Sequence, residues 1–261
     1  MIAPFLISLE FVKASPLFFI YRIRKSKRHM LVAQNLSKSF GSLPALTNLN
    51  ISVGPGEIYV LLGANGAGKS TTIRLFLGFL DPTGGTAFVN GINVAERPLE
   101  TKQYLAYIPE LVMLYPELTG LENLKYFSKL GGKSYTDAEL REILVSADLQ
   151  SDAADRKISM YSKGMRQKTG IAVAVAKKAK ALLLDEPFSG LDPKASNEFA
   201  NILKAMKVNG TAIIIATHDI FRAKEIGSRI GIMREGRILE EIDPSAVSHT
   251  DIEDIYVRHM Q

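Results

Sequence analysis

The stretch GEIYVLLGANGAGKST, residues 56–71, decides the fold of this chain. Its first half is an apolar run that ends in glycine, as is typical of a buried strand. Its second half places Gly63, four further residues, Gly68, Lys69 and Ser70 in the spacing of a phosphate-binding loop, or P-loop. The segment STTIRLFLGFL then carries apolar residues at helical spacing. A strand, a glycine-rich loop and a helix in this order predict an α/β fold.

The glycine-rich loop is expected to bind a nucleotide. Its glycines let the backbone turn tightly and point amides at phosphate oxygens, and the following helix adds its positive N-terminal end. The lysine would reach the outer phosphates, and the serine hydroxyl would bind Mg²⁺. A glycine-rich turn that binds nothing is the alternative, and the strand and helix on either side argue against it. The ATP-binding candidates here are Gly63, Asn65, Gly66, Gly68, Lys69, Ser70 and Thr71.

Two acidic residues end a second apolar run, ALLLDEP at 181–187. Adjacent carboxylates at the end of a buried strand cost free energy unless they face a cation or water. Asp185 is the candidate to hold Mg²⁺, and Glu186 the candidate to orient and deprotonate the attacking water. An exposed acidic turn would explain neither the four apolar residues before the acids nor the P-loop upstream.

The composition allows a globular chain and excludes some classes of site. The 261 residues contain no cysteine, which excludes a disulfide framework and cysteine-ligated metal. The net charge of +5 lies entirely in residues 1–29, where six basic residues meet one glutamate. The rest of the chain carries equal numbers of acids and bases, so charge gives no reason to expect a nucleic-acid partner.

Strand and helix signals alternate along the rest of the chain. Short strands are expected over 31–40 and 45–54, and hairpins at Asn90–Gly91 and Glu235–Gly236. Capping boxes at Thr119 and Thr136 each precede a predicted helix, and a third helix is expected over about 163–178. The apolar runs at 181–187 and 211–219 are typical of parallel strands buried on both faces. This order predicts a P-loop α/β core with an antiparallel β part and a helical subdomain at about 115–175.

Further motifs complete a pattern that resembles the nucleotide-binding domain of ATP-binding cassette (ABC) proteins. YSKGMRQK lies between the P-loop and the acidic pair, and SGLDP and ATHD follow that pair. Together the motifs cover roughly residues 31–240, and their order is specific to this family. YIPE at 107–110, LYPELTGLENL and the closing DIEDIYVRH resemble the branch that serves bacterial exporters, the ABC-2-like branch.

The resemblance implies roles for several further residues. Phe40 occupies the position of an aromatic that stacks on adenine, although core or edge phenylalanines are common at strand spacing. Ser162 and Gly164 fall in the signature motif with Tyr161, where the family binds the γ-phosphate held by a partner subunit. Asp192 matches a loop that communicates across the dimer. His218 matches the switch histidine at the γ-phosphate, so Glu186, His218 and Lys69 are the catalytic candidates.

Two positions depart from the usual family pattern. Lys163 stands where the signature usually has glycine, and Glu110 where the family usually has glutamine. A charged oxygen at 110 would bind Mg²⁺ more tightly, or would raise the pKa of a neighbouring carboxyl group. The metal candidates are Ser70, Glu110 and Asp185.

The resemblance implies an ATPase, with ATP and Mg²⁺, that powers a membrane exporter. Two nucleotide-binding domains, in a homodimer or a heterodimer, would clamp ATP between them and move separate transmembrane permease subunits. The chain would then sit peripherally on the cytoplasmic face of the inner cell membrane. One alternative is a soluble ABC ATPase acting on ribosomes or DNA. That class is disfavoured because the chain has one uninterrupted cassette and no heptad arm. A poorly hydrolysing regulatory subunit is the other alternative, and Glu186 argues against it.

Residues 1–29 form an N-terminal extension, disordered or helical, ahead of a cassette at 30–261. In this segment the basic residues follow the apolar run, whereas in a signal peptide they precede the apolar core. A spanning helix would contain Glu10, Lys13, Pro4 and Pro16, which makes a weak span. We expect an extension, or a segment that is not translated, with attachment of the basic cluster to the membrane surface as the alternative.

Overall fold

A computed structural model describes residues 29–260, so the predictions for residues 1–28 lie outside the described part. The strands of this part are β1 (Leu31–Phe40), β2 (Leu43–Val53), β3 (Ile58–Leu62), β4 (Gly84–Val89), β5 (Ile92–Asn93), β6 (Leu105–Ile108), β7 (Ala181–Asp185), β8 (Ala212–Thr217), β9 (Arg229–Arg234) and β10 (Arg237–Ile242). The helices are α1 (Lys69–Phe76), α2 (Pro98–Lys102), α3 (Gly120–Leu130), α4 (Asp137–Ser146), α5 (Lys163–Lys177), α6 (Pro193–Val208), α7 (Ile220–Ile226) and α8 (His249–Met260), with 3₁₀ turns at Ser151–Asp155 and Ile158–Met160.

A small antiparallel sheet has the strand order β2-β1-β4-β5. A turn at 41–42 joins β1 to β2, where Phe40 pairs with Leu43. Asn90 and Gly91 form the turn of the predicted hairpin between β4 and β5, with φ angles of 50° and 75°. Positive φ at both central residues is what a tight two-residue hairpin turn requires. These elements supply the predicted antiparallel β part.

The larger sheet has the order β10-β9-β3-β8-β7-β6. Its strands from β9 to β6 run parallel, and β10 closes the edge as an antiparallel hairpin with β9. Strands β3 and β8 are buried along their whole length, as expected for parallel strands covered on both faces. Separate apolar clusters line the two faces: one packs against α5 and α6, and the other against α1 and the small sheet.

The register of the parallel strands brings their carboxyl ends to one edge. Leu62 pairs with Thr217 in the neighbouring strand, and Asp185 pairs with Ala216. Ile108, two residues before Glu110, pairs with Leu184. Loops that follow carboxyl ends of adjacent parallel strands meet in one crevice, the usual place for a ligand in such sheets. The P-loop, the acidic pair, His218 and Glu110 therefore converge.

Helices α3, α4 and α5 form the helical part between β6 and β7. Both predicted capping boxes are present, and each threonine side chain accepts a hydrogen bond from the backbone amide of a glutamate three residues later. The predicted α/β core with antiparallel and helical parts is confirmed. Among residues 29–260, no helix is both long enough and apolar enough to cross a membrane.

Candidate functional site

The P-loop connects β3 to α1 and takes its shape from close packing. A side chain at Gly63 would place its Cβ 2.3 Å from the Met233 carbonyl oxygen on β9. Gly68 has a φ of 105°, and a Cβ there would lie 2.7 Å from the Ala45 carbonyl oxygen. Glycine is thus required at 63 because another strand passes against it, and at 68 also because of the left-handed conformation. The sequence pattern does not reveal this contact between the first glycine and β9.

Lys69 is the first residue of α1, directly after the loop, and is only 6% exposed. Its Nζ donates hydrogen bonds to the carbonyl oxygens of Gly63, at 2.6 Å, and Ala64, at 3.1 Å. The same Nζ lies 3.4 Å from Oε1 of Glu186. A buried ammonium needs such partners, and they hold its charge at the centre of the loop. The predicted phosphate-binding lysine and the predicted base are therefore direct neighbours.

Ser70 and Asp185 form the second contact between the P-loop and β7. The Ser70 hydroxyl donates to Oδ1 of Asp185 at 3.0 Å. Burial and then the charge of Glu186 raise the pKa of Asp185, while the bond from Ser70 opposes the rise. Hydroxyl and carboxylate oxygens suit a hard cation such as Mg²⁺. Among residues 29–260, no group of three or more acidic or histidine side chains is arranged to hold a metal ion, so this pair offers only part of a coordination shell.

Glu186 contacts both of the other predicted catalytic residues, Lys69 and His218. Its Oε2 accepts a hydrogen bond from the Thr217 hydroxyl at 3.1 Å and lies 3.0 Å from Nδ1 of His218. Its Oε1 is buried without a hydrogen-bond partner among the described residues. The backbone of Glu186 has a φ of 46°, a strained conformation for a residue with a side chain. Such strain is typical of functional positions, where surrounding contacts hold it.

Glu110 lies at the rim of the cleft that Ser70 and Asp185 also line, and its side chain contacts other partners. Its Oε1 accepts a hydrogen bond from the Ser189 hydroxyl at 2.8 Å and lies 3.9 Å from Nζ of Lys163. The sequence left open that this carboxylate would raise the pKa of a neighbour. For Asp185, burial and the charge of Glu186 raise the pKa.

An open cleft of about 280 Å³ lies between the P-loop and the acidic pair. Its lining contains most of the predicted phosphate and metal candidates, together with Ala45 of β2, which the sequence did not indicate. The lining residues are Ala45, Asn65, Gly66, Ala67, Gly68, Lys69, Ser70, Thr71, Glu110, Asp185 and Glu186.

Phe40 ends β1 in the small sheet and is 49% exposed. The core position that the sequence left open is therefore excluded. The ammonium of Lys38 lies 5.3 Å from the centre of the ring. An exposed aromatic ring is free to stack on a planar ligand.

The signature residues lie elsewhere in the chain. The Ser162 side chain caps α5 by accepting a hydrogen bond from the Met165 amide at 3.2 Å. Gly164 packs at α5 against α6, where a Cβ would lie 3.0 Å from Cβ of Ala195. Neither residue lines the phosphate cleft. Asp192 likewise caps a helix, α6, by accepting from the Ala195 amide at 2.9 Å.

Besides Ala45, sequence reasoning missed three residues that form hydrogen bonds in the site. Thr217 binds Glu186, Ser189 binds Glu110, and Gln167 donates from Nε2 to the Glu110 carbonyl oxygen at 3.1 Å. The position of Thr217 directly before His218, at the end of a strand, was the available signal. Nothing in the spacing of Gln167 or Ser189 shows which loop they contact.

Comparisons with known proteins agree with this geometry. The ABC transporter family matches over residues 46–189. The bacitracin transport ATP-binding protein BcrA of Enterococcus faecalis is 37% identical over 83% of this chain and 70% of that protein. The Nod factor export ATP-binding protein I of Burkholderia orbicola is 34% identical over 84% of this chain and 72% of that protein.

A solved structure extends the likeness to a state after catalysis. It is the dimeric ATP-binding cassette MJ0796 in a post-hydrolysis state, bound to ADP and Pi. Its TM-score is 0.73 at 26% identity, over 82% of this chain and 99% of that one. The chain therefore belongs to the ABC transporter family, as an ATP-binding subunit that hydrolyses ATP.

Proposed function

We propose that this chain powers an exporter, with ATP hydrolysis carried out by the groups around Glu186. The observation that carries the proposal is the convergence on one carboxylate of Lys69, Thr217 and His218, beside the Ser70–Asp185 contact. Relatives named for bacitracin transport and Nod factor export support export as the direction.

Glu186 is the proposed general base. Its Oε2 is held by Thr217 and lies beside His218, so the carboxylate has a fixed orientation at the cleft. A positioned carboxylate can take the proton of a water molecule that attacks the γ-phosphate. His218 is 60% exposed, and we assign it to the γ-phosphate. Lys69 exchanges its carbonyl partners for phosphate oxygens when ATP binds.

Ser70 and Asp185 are the proposed protein ligands of Mg²⁺, with phosphate and water oxygens completing the shell. Bound there, Mg²⁺ would neutralise charge on the phosphates during transfer. Glu110 stands at the rim as a third oxygen donor on the same cleft. The P-loop backbone at Gly63, Gly66 and Gly68, with Asn65 and Thr71, would hold the phosphates, and the Phe40 ring would stack on adenine.

Two nucleotide-binding domains are needed to complete each site. Ser162 and Gly164 do not line the phosphate cleft of their own chain, although the family uses this motif at the γ-phosphate. We propose that they close over ATP bound by a second domain, a copy of this chain or a relative. The dimeric cassette MJ0796 supports this arrangement.

The cassette at 30–261 would act peripherally at the cytoplasmic face of the cell membrane, on separate permease subunits. The helical part and the loop at Glu110 would pass the closing movement to them. Residues 1–29 would be an extension to this cassette.

Glu186→Gln tests the assignment of the base. The amide keeps the shape of the carboxylate but cannot accept the proton, so hydrolysis should fall at least a hundredfold while ATP binding persists. Because the clamp then cannot reopen by hydrolysis, ATP should trap a dimer with about twice the 28.7 kDa mass of the chain. Light scattering after size exclusion, with and without ATP, measures the mass.

The control is Glu142→Gln, at a glutamate on α4 that lies outside the cleft lining. It should hydrolyse ATP as the wild type does and should form no trapped dimer. Normal turnover by Glu186→Gln would overturn the role of this carboxylate.

A further inference from the structure

The two departures from the usual family pattern contact each other. Nζ of Lys163, at the first turn of α5, lies 3.9 Å from Oε1 of Glu110, in the loop after β6. The same oxygen accepts the hydrogen bond of Ser189 at 2.8 Å. The two side chains are 53 residues apart in sequence, counting from 110 to 163. Their meeting is therefore a property of the fold.

The surrounding structure holds this pair in place. Gln167 lies one turn after Lys163 on α5, is fully buried, and donates to the Glu110 carbonyl oxygen at 3.1 Å. Residues four apart share one face of a helix, so one face of α5 contacts both the backbone and the side chain of the loop. Gly190 adds the space: a Cβ there would lie 3.4 Å from Nζ of Lys163. The φ of 65° at Gly190 also favours glycine.

The pair preserves the charge of the usual pattern. Glutamine and glycine are both neutral, and a glutamate with a lysine also sums to zero. The cleft already contains the carboxylates of Asp185 and Glu186. Without Lys163, the Glu110 carboxylate would add an uncompensated negative charge where a triphosphate binds.

We propose that Lys163 is a positioning residue for Glu110, and that the two act as one neutral pair linking the signature helix to the phosphate cleft. The inference rests on the proposed function, because it assigns a task to the signature within the same site. Lys163 holds the carboxylate at the rim and cancels its repulsion of the nucleotide. The contact thereby links Lys163, in the signature motif at the start of α5, to Glu110 at the rim of the cleft in the same chain.

The pair predicts opposite effects for its two single variants. Glu110→Gln leaves Lys163 uncompensated and should tighten ATP binding about three- to tenfold, since a positive charge remains near an anion. Lys163→Gln leaves Glu110 uncompensated and should weaken ATP binding by a similar factor. The double variant should return to within about twofold of the wild type, because it restores neutrality. Lys163→Arg should match the wild type.

The measurement is the dissociation constant of a fluorescent ATP analogue in EDTA, on the full-length chain. Without Mg²⁺ the dissociation constant reports the effect of charge and is independent of hydrolysis.

In Mg²⁺, hydrolysis by Glu110→Gln should stay within about tenfold of the wild type, because one oxygen ligand replaces another. Lys125→Gln is the matched control, as Lys125 pairs with Asp137 at 2.6 Å outside the cleft lining. It changes the same net charge and should leave the constant unchanged.

Three results would overturn the pair. The first is a shift of ATP affinity in the same direction in both single variants, which would show that Lys163 serves only the packing of α5. Equal affinity in all four proteins would show that the charges do not reach the nucleotide. If the double variant did not return to the wild-type ATP affinity, Lys163 and Glu110 would not be coupled. If the wild type bound no ATP, or Glu186→Gln hydrolysed it normally, the proposed function would fail as well. If the wild type binds ATP and Glu186→Gln fails to hydrolyse it, but the two single variants do not shift affinity in opposite directions, only the proposal of the pair is overturned.

Discussion

Asp185, the proposed metal ligand, is held in the folded chain at a cost in stability. Burial and the adjacent Glu186 raise its pKa above the ordinary range. The folded chain therefore holds this proton more tightly than the unfolded chain does. Above the raised pKa, ionisation of Asp185 lowers the free energy of unfolding, and this penalty disappears as the pH falls through that pKa. The predicted metal ligand is thus a destabilising charge at neutral pH.

Asp185→Asn should separate stability from activity. The neutral amide removes the buried charge and still offers an oxygen to Ser70, so the Tm at pH 7 should rise. The rise should shrink in acid, where the wild-type aspartate takes up its proton. Mg²⁺-dependent ATP hydrolysis should fall at least a hundredfold, because the charged metal ligand is lost. Thermal melts over a pH series and phosphate-release assays measure the two effects.

Asp155 provides the matched control for this variant. The hydrogen bond from Arg141 lowers the pKa of Asp155, which is the opposite direction from Asp185. Asp155→Asn should therefore not raise the Tm, and it should leave hydrolysis unchanged. A fall in Tm for Asp185→Asn at pH 7 would contradict the account of this site.

At the scale of single residues, the sequence predicted which groups lie close together better than how they are held. Lys69, Ser70, Asp185 and Glu186 meet as expected, because the P-loop and the acidic pair lie at the carboxyl ends of strands in the same sheet. The hydrogen bond from Thr217 was not foreseen. It depends on the register between β3, β7 and β8, which sequence spacing does not determine.

At the scale of elements, local chemistry explains why the helical part was predictable. Thr119 caps α3 and accepts a hydrogen bond from the Glu122 amide at 3.2 Å, while Glu122 accepts one from the Thr119 amide at 2.8 Å. Leu121 and Leu124 then turn the apolar face of α3 into the core. Capping and periodicity are both local signals, so they can be read directly from the sequence.

Thr119→Ala should lower the free energy of unfolding by about 1 kcal/mol, since it removes the side-chain acceptor at the start of α3. Urea unfolding followed by circular dichroism measures the loss. Thr119→Ser keeps a hydroxyl at the cap and should lose clearly less stability than the alanine variant. Equal losses in the two variants would show that the methyl group, and not the cap, accounts for the change.

Other features of the elements depend on contacts between distant segments. Gly63 is needed because β9 passes beside the P-loop, and its carbonyl at Met233 would meet any side chain there. The contact of Lys163 with Glu110 requires α5 to lie against the loop after β6. The sequence marks Lys163 and Glu110 as departures from the family pattern, but only the packing of the elements shows that the two side chains contact each other.

At the scale of the whole molecule, the parallel sheet brings together at its carboxyl edge the residues that we propose form one half of an ATP site. The P-loop, the acidic pair and His218 lie there. Ser162 and Gly164 lie at the start of α5, outside the cleft lining. The central claim is therefore that hydrolysis needs the P-loop of one domain and the signature of another.

Mixing two inactive variants tests this claim most directly. Lys69→Ala removes the phosphate-binding ammonium. Ser162→Asp keeps a good helix cap but places a carboxylate against the partner's γ-phosphate. In a mixed dimer, one site combines both defects and the other is intact. We predict that each variant alone is inactive, and that an equimolar mixture recovers about a quarter of wild-type ATP hydrolysis from random pairing. Activity of the mixture no greater than the mean of the two separate variants would contradict a site shared between two domains.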